Sequence, residues 1–175
     1  EPRDKRGDGI VCDLLEVLAP SRHRETPPCQ HFGVCGGCAL QHWRRDIYLG
    51  WKVELIKRAL SQQGVQAPAF ERALACEPGE RRRADVVLRR QGRRVLAGFH
   101  ERASQKVVDV GTCVVARPAI SAALEPLRTG MANILPDGAA ADAIVNETDS
   151  GLDVLIRPHK KLALKLEMRE ALVTL

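Results

Sequence analysis

The run Cys29-Gln30-His31-Phe32-Gly33-Val34-Cys35-Gly36-Gly37-Cys38 puts three cysteines into ten residues. Two adjacent glycines separate the last pair, so a short loop can fold back and turn three sulfurs toward one point. Thiolates are soft ligands that select zinc, copper(I) or iron–sulfur centres over hard cations, and the spacing therefore predicts a metal site. A structural zinc site pairs two knuckles to close a tetrahedron. Here only Cys35 and Cys38 form a knuckle; Cys29 stands five intervening residues upstream and no second knuckle follows. Three local thiolates completed by one distant ligand suit a [4Fe–4S] cube, which four cysteines hold. Cys113 is the candidate fourth ligand, because the strand-like run Val107-Val108-Asp109-Val110 would deliver it rigidly. Cys76 is its rival, and Cys12 a weaker one. Zinc stays open as the alternative, with His31 or His42 completing its tetrahedron.

Four of the six aromatic residues, Phe32, Trp43, Tyr48 and Trp51, fall within twenty residues around this loop. A bulky apolar wall there would keep water off a cluster. Six cysteines in a chain without a signal peptide do not read as a secreted disulfide scaffold. No apolar run approaches the ~18 residues of a membrane span, so a cytoplasmic, monomeric protein with no membrane partner is expected. The chain begins at Glu1 and stops at Leu175 inside an amphipathic run. Both ends are expected to belong to something larger.

Residues 1–10 are polar and glycine-containing and read as a loop or tail; Val11 to Leu18 reads as a strand. Residues 21–45 form a basic, proline-ended linker and the cysteine loop. From Asp46 the pattern becomes helical, with Leu49, Val53, Ile56 and Leu60 on one stripe and Gly64 as a stop. Ala84–Leu88 and Val95–Phe99 read as a hairpin whose tip is the run from Arg89 to Arg94. Val107–Val110 adds a third strand. Pro118 opens a helix with Ile120, Leu124, Leu127 and Met131 on one side, kinked or split at Pro126. Ala143–Val145 and Leu152–Ile156 form another hairpin, and a last helix begins near Lys160. Strands in hairpins, interleaved with helices, predict an α+β fold over residues 46–159: a small antiparallel sheet with flanking helices.

The net charge is +5. Its distribution is uneven, since Arg81, Arg82, Arg83, Arg89, Arg90, Arg93, Arg94, Arg102 and Lys106 crowd together. Guanidinium groups match phosphate oxygens with forked donors and stack on unpaired bases. A hairpin carrying them would position RNA by its backbone without choosing its sequence. The bland alternative is the wet face of a half-exposed sheet.

The run C-x5-C-G-G-C-x-x-Q-H resembles the iron–sulfur loop of bacterial RNA (uracil-5-)-methyltransferases, the 23S rRNA enzymes in particular. The segments Glu80-Arg81-Arg82-Arg83-Ala84, Gly98-Phe99-His100-Glu101-Arg102-Ala103 and Val107-Val108-Asp109-Val110-Gly111-Thr112-Cys113 are similar too, in the same order, and the likeness runs from about Val17 to the end. It implies Cys29, Cys35, Cys38 and Cys113 as cluster ligands, and a central domain lying against RNA through Arg81, Arg82, Arg83, Arg89, Arg93 and Arg102. It implies ribosomal RNA as the substrate, with transfer RNA the other choice. Residues 1–20 would be the remnant of an RNA-binding TRAM-like region, and residues 160–175 would lead into a separate Rossmann-like domain that binds S-adenosylmethionine. In that family a cysteine attacks C6 of uracil, the methyl group lands on C5 and a carboxylate takes the C5 proton. Neither a Gly-rich strand-to-helix turn nor the family's catalytic cysteine motif occurs in this sequence. No catalytic residue is therefore expected in this chain, which alone should not transfer a methyl group.

Overall fold

A computed structural model describes residues 2–7, 9–12, 14–66, 69–71, 73–163, 165–166 and 168–169. Its centre is a five-stranded antiparallel sheet. The strands are β3 (Arg83–Gln91), β4 (Arg94–His100), β5 (Val107–Asp109), β6 (Ala140–Thr148) and β7 (Gly151–Pro158), in the order β5-β4-β3-β6-β7. Two short helices, α2 (Pro118–Ala122) and α3 (Leu124–Ala132), pack on one face. The α+β expectation holds.

Period-two alternation decides which face is buried. Ala84, Val86 and Leu88 of β3 join Ala97 of β4 and Ala141, Ala143 and Val145 of β6 in one core, against Ile120, Leu124, Leu127 and Met131 from the helices. The helical stripe read from the sequence is thus buried in full. The helix does split, at Ala123, three residues ahead of Pro126, which leaves the proline in the first turn of α3 where its missing N–H is harmless.

Three expectations are corrected. The strands of the arginine hairpin run on to Gln91 and Arg94, which pair, so its tip is only Gly92-Arg93. The pairing continues through the charged run, with Arg89 opposite Leu96 and Arg90 opposite Val95, so the arginines do not end the strand. The amino terminus holds a hairpin, β1 (Pro2–Arg6) with β2 (Gly9–Cys12), in place of a tail followed by a longer strand, and residues 14–18 are irregular and exposed. Helix α1 (Arg45–Gln62) forms as expected, yet it has no buried residue and Ile56 on its apolar stripe is exposed. Asp46 in its first turn is gripped by Arg44 at 2.9 Å, which pulls its carboxyl down to about 2. Half of the expected last helix, including residues 170–175, falls outside the described residues. No regular structure occupies 161–163, and Met168 and Arg169 donate to Lys165 O in a helical turn. Among the described residues no helix is long and apolar enough to cross a membrane.

Candidate metal centre

The cysteine loop is a chain of tight turns fastened to the far end of β4. Phe32 N donates to Cys29 O at 3.0 Å and Cys35 N to His31 O at 2.9 Å, coiling the first half. The second half then crosses to another part of the chain. Gly36 N donates to His100 O at 2.8 Å, Arg102 N to Val34 O at 3.1 Å, and Cys35 bridges Glu101 as a one-residue antiparallel pair. This contact explains Gly36: a Cβ there would stand 2.9 Å from His100 O, closer than real side chains come. Gly37 is under no such constraint, its Cβ position lying an ordinary 3.5 Å from Cys35 Sγ.

Cys113 arrives from the neighbouring strand. Gly98 of β4 lets β5 approach, since a Cβ there would lie 1.9 Å from Val108 O. After β5, Val110 N donates to Ala97 O at 2.9 Å, and Ser121 of α2 clamps Cys113 from both sides. The Ser121 hydroxyl accepts from Cys113 N at 3.2 Å and donates to Cys113 O at 3.3 Å. Sheet edge and helix together hold the backbone that carries the thiol.

Cys29, Cys35, Cys38 and Cys113 all line one small cavity of about 20 Å³. Each is partly buried, while Cys12 and Cys76 are exposed and lie outside that lining; all six are free thiols. The sulfurs do not meet at one point as the loop spacing led us to expect. Among the described residues no three His, Cys, Asp or Glu side chains converge on a single-ion site. Burial pushes the Cys38 thiol above its ordinary range, and the neighbouring Gln41 and Arg81 offset that only in part.

The apolar wall is in part the one the sequence pointed to, with Phe99 in place of the tryptophans and the tyrosine. Phe32 and Phe99 line the cavity. Trp43, Tyr48 and Trp51 cluster with one another instead, Trp43 and Trp51 having ring centroids 5.3 Å apart. His31 lines the cavity, whereas His42 lies outside its lining and tilts against Phe32 at 5.5 Å. Sequence reasoning gave no role to Gln41, although it stands inside the cysteine motif. Both polar atoms of its amide are closed off from solvent without a well-formed hydrogen bond.

The arginines disperse. Arg82 pairs with Asp149 at 2.9 Å and Arg83 with Asp85 at 3.3 Å. Arg89 has its Nε shut off from solvent, and Arg90 is tied to Leu135 O at 2.7 Å. Arg81 leaves the sheet surface and lines the cysteine cavity. Arg93 and Arg102 are exposed in the turns at opposite ends of β4, a strand about 20 Å long at the usual rise per residue.

Comparison with known proteins bears on what such a cavity serves. An RNA methyltransferase of Brucella suis is 38% identical over 162 residues, spanning 93% of this chain and 38% of the relative. One of Caulobacter vibrioides is 37% identical over 150 residues, 84% of this chain and 36% of its own length. The 23S rRNA (uracil(1939)-C(5))-methyltransferase RlmD of Halomonas elongata is 41% identical over 128 residues, 72% of this chain and 26% of that enzyme. The chain belongs to the RNA (uracil-5-)-methyltransferase family. No protein-family profile matches it. This family member spans well under half the length of the relatives it matches.

Proposed function

We propose that the chain is the cluster-binding, RNA-contacting portion of an S-adenosylmethionine-dependent RNA uracil-C5 methyltransferase, with ribosomal RNA as substrate. The observation that carries this reading is the 41% identity to an enzyme named for methylating C5 of a 23S rRNA uracil.

Cys29, Cys35, Cys38 and Cys113 would hold a [4Fe–4S] cluster. Three features support it. The donors are all soft thiolates. All four line one cavity, so one centre could draw on them together. The lining also contains Gln41, whose orphaned amide lacks an acceptor that thiolates around a cluster would supply. Once bound, the cluster supplies a cross-link and no chemistry on the substrate, since four protein ligands leave no iron open. The four cysteines then tie the loop of residues 21–45 to the end of β5, which α2 and α3 already fix. Residues 46–159 present Arg93 and Arg102 from a rigid sheet, and such cations position RNA by its phosphates.

The test is transfer of labelled methyl groups from S-adenosylmethionine to ribosomal RNA by the full-length protein, with the modified base mapped. Methylation at C5 of a uracil supports the reading. Methylation of another base or atom, or none by a cluster-loaded protein, overturns it. Residues 1–175 alone should bind RNA and transfer nothing.

A further inference from the structure

The buried side of the sheet runs out of cover one strand too soon. Val154 pairs with Val145 and Ile156 with Ala143 across the β6–β7 ladder, and both β6 partners are fully buried in the core against α2 and α3. Residues opposite one another in an antiparallel pair share a face, and so do alternate residues of one strand. Leu152, Val154 and Ile156 therefore belong to the buried side. Yet Leu152 is 39% exposed and Val154 40%. The two short helices leave an open groove of about 780 Å³ beside β7, walled by Ala119, Ala122 and Pro126 on one side and the three β7 side chains on the other. Every residue lining it is apolar. β7 is also the outermost strand, and a long edge with an apolar face invites aggregation unless something covers it.

The groove's chemistry and size choose the occupant. It offers no donor or cation to a phosphate, which excludes RNA. Eight residues line it, against about 20–30 a side in a stable interface between separate chains, so a partner free in solution would gain too little. A covering segment joined to the same chain needs far less, because its effective concentration is on the order of millimolar. The relatives carry such chain: the Brucella suis protein is matched over only 38% of its length. After β7 the described residues already turn to this side. His159 N donates to Ala140 O at 3.0 Å, and Leu162 and Met168 pack against the same core as Ile156.

We propose that this groove seats the remainder of the full-length protein: an apolar face of the chain that follows residue 175 packs over Leu152, Val154 and Ile156 and completes the core. The inference rests on reading residues 1–175 as one portion of a longer enzyme, and on nothing about the cluster or the RNA. Its consequence is positional. Ala119 and Ala122 share α2 with Ser121, which clamps Cys113, so one short helix holds both the cysteine and the seated portion.

The experiment uses the full-length protein with p-benzoylphenylalanine placed at position 154 or, on the other face of the same strand, at position 155. On irradiation, position 154 should cross-link to a peptide that follows residue 175, in a product with the mass of one chain and in higher yield than position 155. A product with the mass of two chains, a cross-link to a peptide preceding residue 1, or a yield no higher than at position 155 would overturn the proposal. Val154→Asp sets an unpaired carboxylate under the seated portion. It should raise proteolytic cutting after residue 175 about tenfold, since cleavage tracks the open population, while Leu155→Asp stays near wild type. Unchanged cutting in Val154→Asp would also overturn it, and the cross-link decides alone where that variant does not accumulate. Neither readout uses methyl transfer or metal, so failure of the methyltransferase reading leaves the result standing. A gene product that ends at residue 175 would overturn the proposal outright.

Discussion

Arg128 Nη2 stands 2.8 Å from Asp109 Oδ1, and the same nitrogen donates to Val110 O at 2.8 Å and Ala97 O at 3.3 Å. One guanidinium therefore joins α3 to the ends of β4 and β5, four residues before Cys113. Burial alone would push the Asp109 carboxyl up, but the Ala97 N–H and Arg128 hold it below the usual carboxylate range. A carboxyl depressed in the folded state stabilises above its unfolded pKa of about 3.9, and that stability is lost as pH falls through the folded value. Arg128→Met should cost about 2 kcal/mol at pH 7 by removing the guanidinium from Asp109 and from Val110 O, while Ala97 O keeps the Val110 N–H and Asp109 the Ala97 N–H. It should also flatten the loss of stability below about pH 4. Urea unfolding from pH 3 to 7 checks both; an unchanged acid limb would contradict the pairing.

Gly36→Ala should separate the loop from β4. The added Cβ meets backbone at His100 O, which cannot rotate away. Loss of metal content with a nearly unchanged sheet is expected, read by elemental analysis and by far-ultraviolet circular dichroism. Gly50→Ala, where nothing lies within reach of a Cβ, is the control.

Replacing Cys113 by Ala should empty the centre, whereas Cys76→Ala and Cys12→Ala should load like wild type. Cys113 alone of the three lines the cavity. Iron per chain is the readout, and full loading of Cys113→Ala would exclude it as a ligand.

Among the arginines, Arg93→Ala and Arg102→Ala should weaken RNA binding most, because both are exposed and neither has a carboxylate partner among the described residues. Each lost phosphate contact should reduce the slope of log K against log salt by about 0.7 to 0.9. Arg83→Ala should do less, since its charge is already shared with Asp85. Fluorescence anisotropy with a uridine-containing ribosomal RNA hairpin, across a salt series, measures all three.

Periodicity made the sheet and its helices legible. Ile120, Leu124, Leu127 and Met131 advertise one buried stripe, and all four are buried. The stripe on α1 is as clear, but a sequence pattern shows which side is apolar and not what covers it; Ile56 remains exposed. The hairpin of Pro2–Arg6 with Gly9–Cys12 left no mark because charged side chains hide its alternation. At the centre, the grouping of Cys29, Cys35, Cys38 and Cys113 and the strand before Cys113 were readable. The separate fates of Arg81, Arg82 and Arg83 were not. Three adjacent identical residues look equivalent until the chain turns, and only backbone pairing with residues 115–117 sends Arg81 to the cavity. Gln41 was hidden for a like reason, since an amide has no role until its neighbours are known.

The most direct measurement is iron, acid-labile sulfide and zinc per chain in protein purified without oxygen, with a visible spectrum of the same sample. About four irons and four sulfides with a broad brown absorbance are the expected result, as a cube on four thiolates requires. One zinc, no sulfide and a colourless, well-folded protein would contradict it.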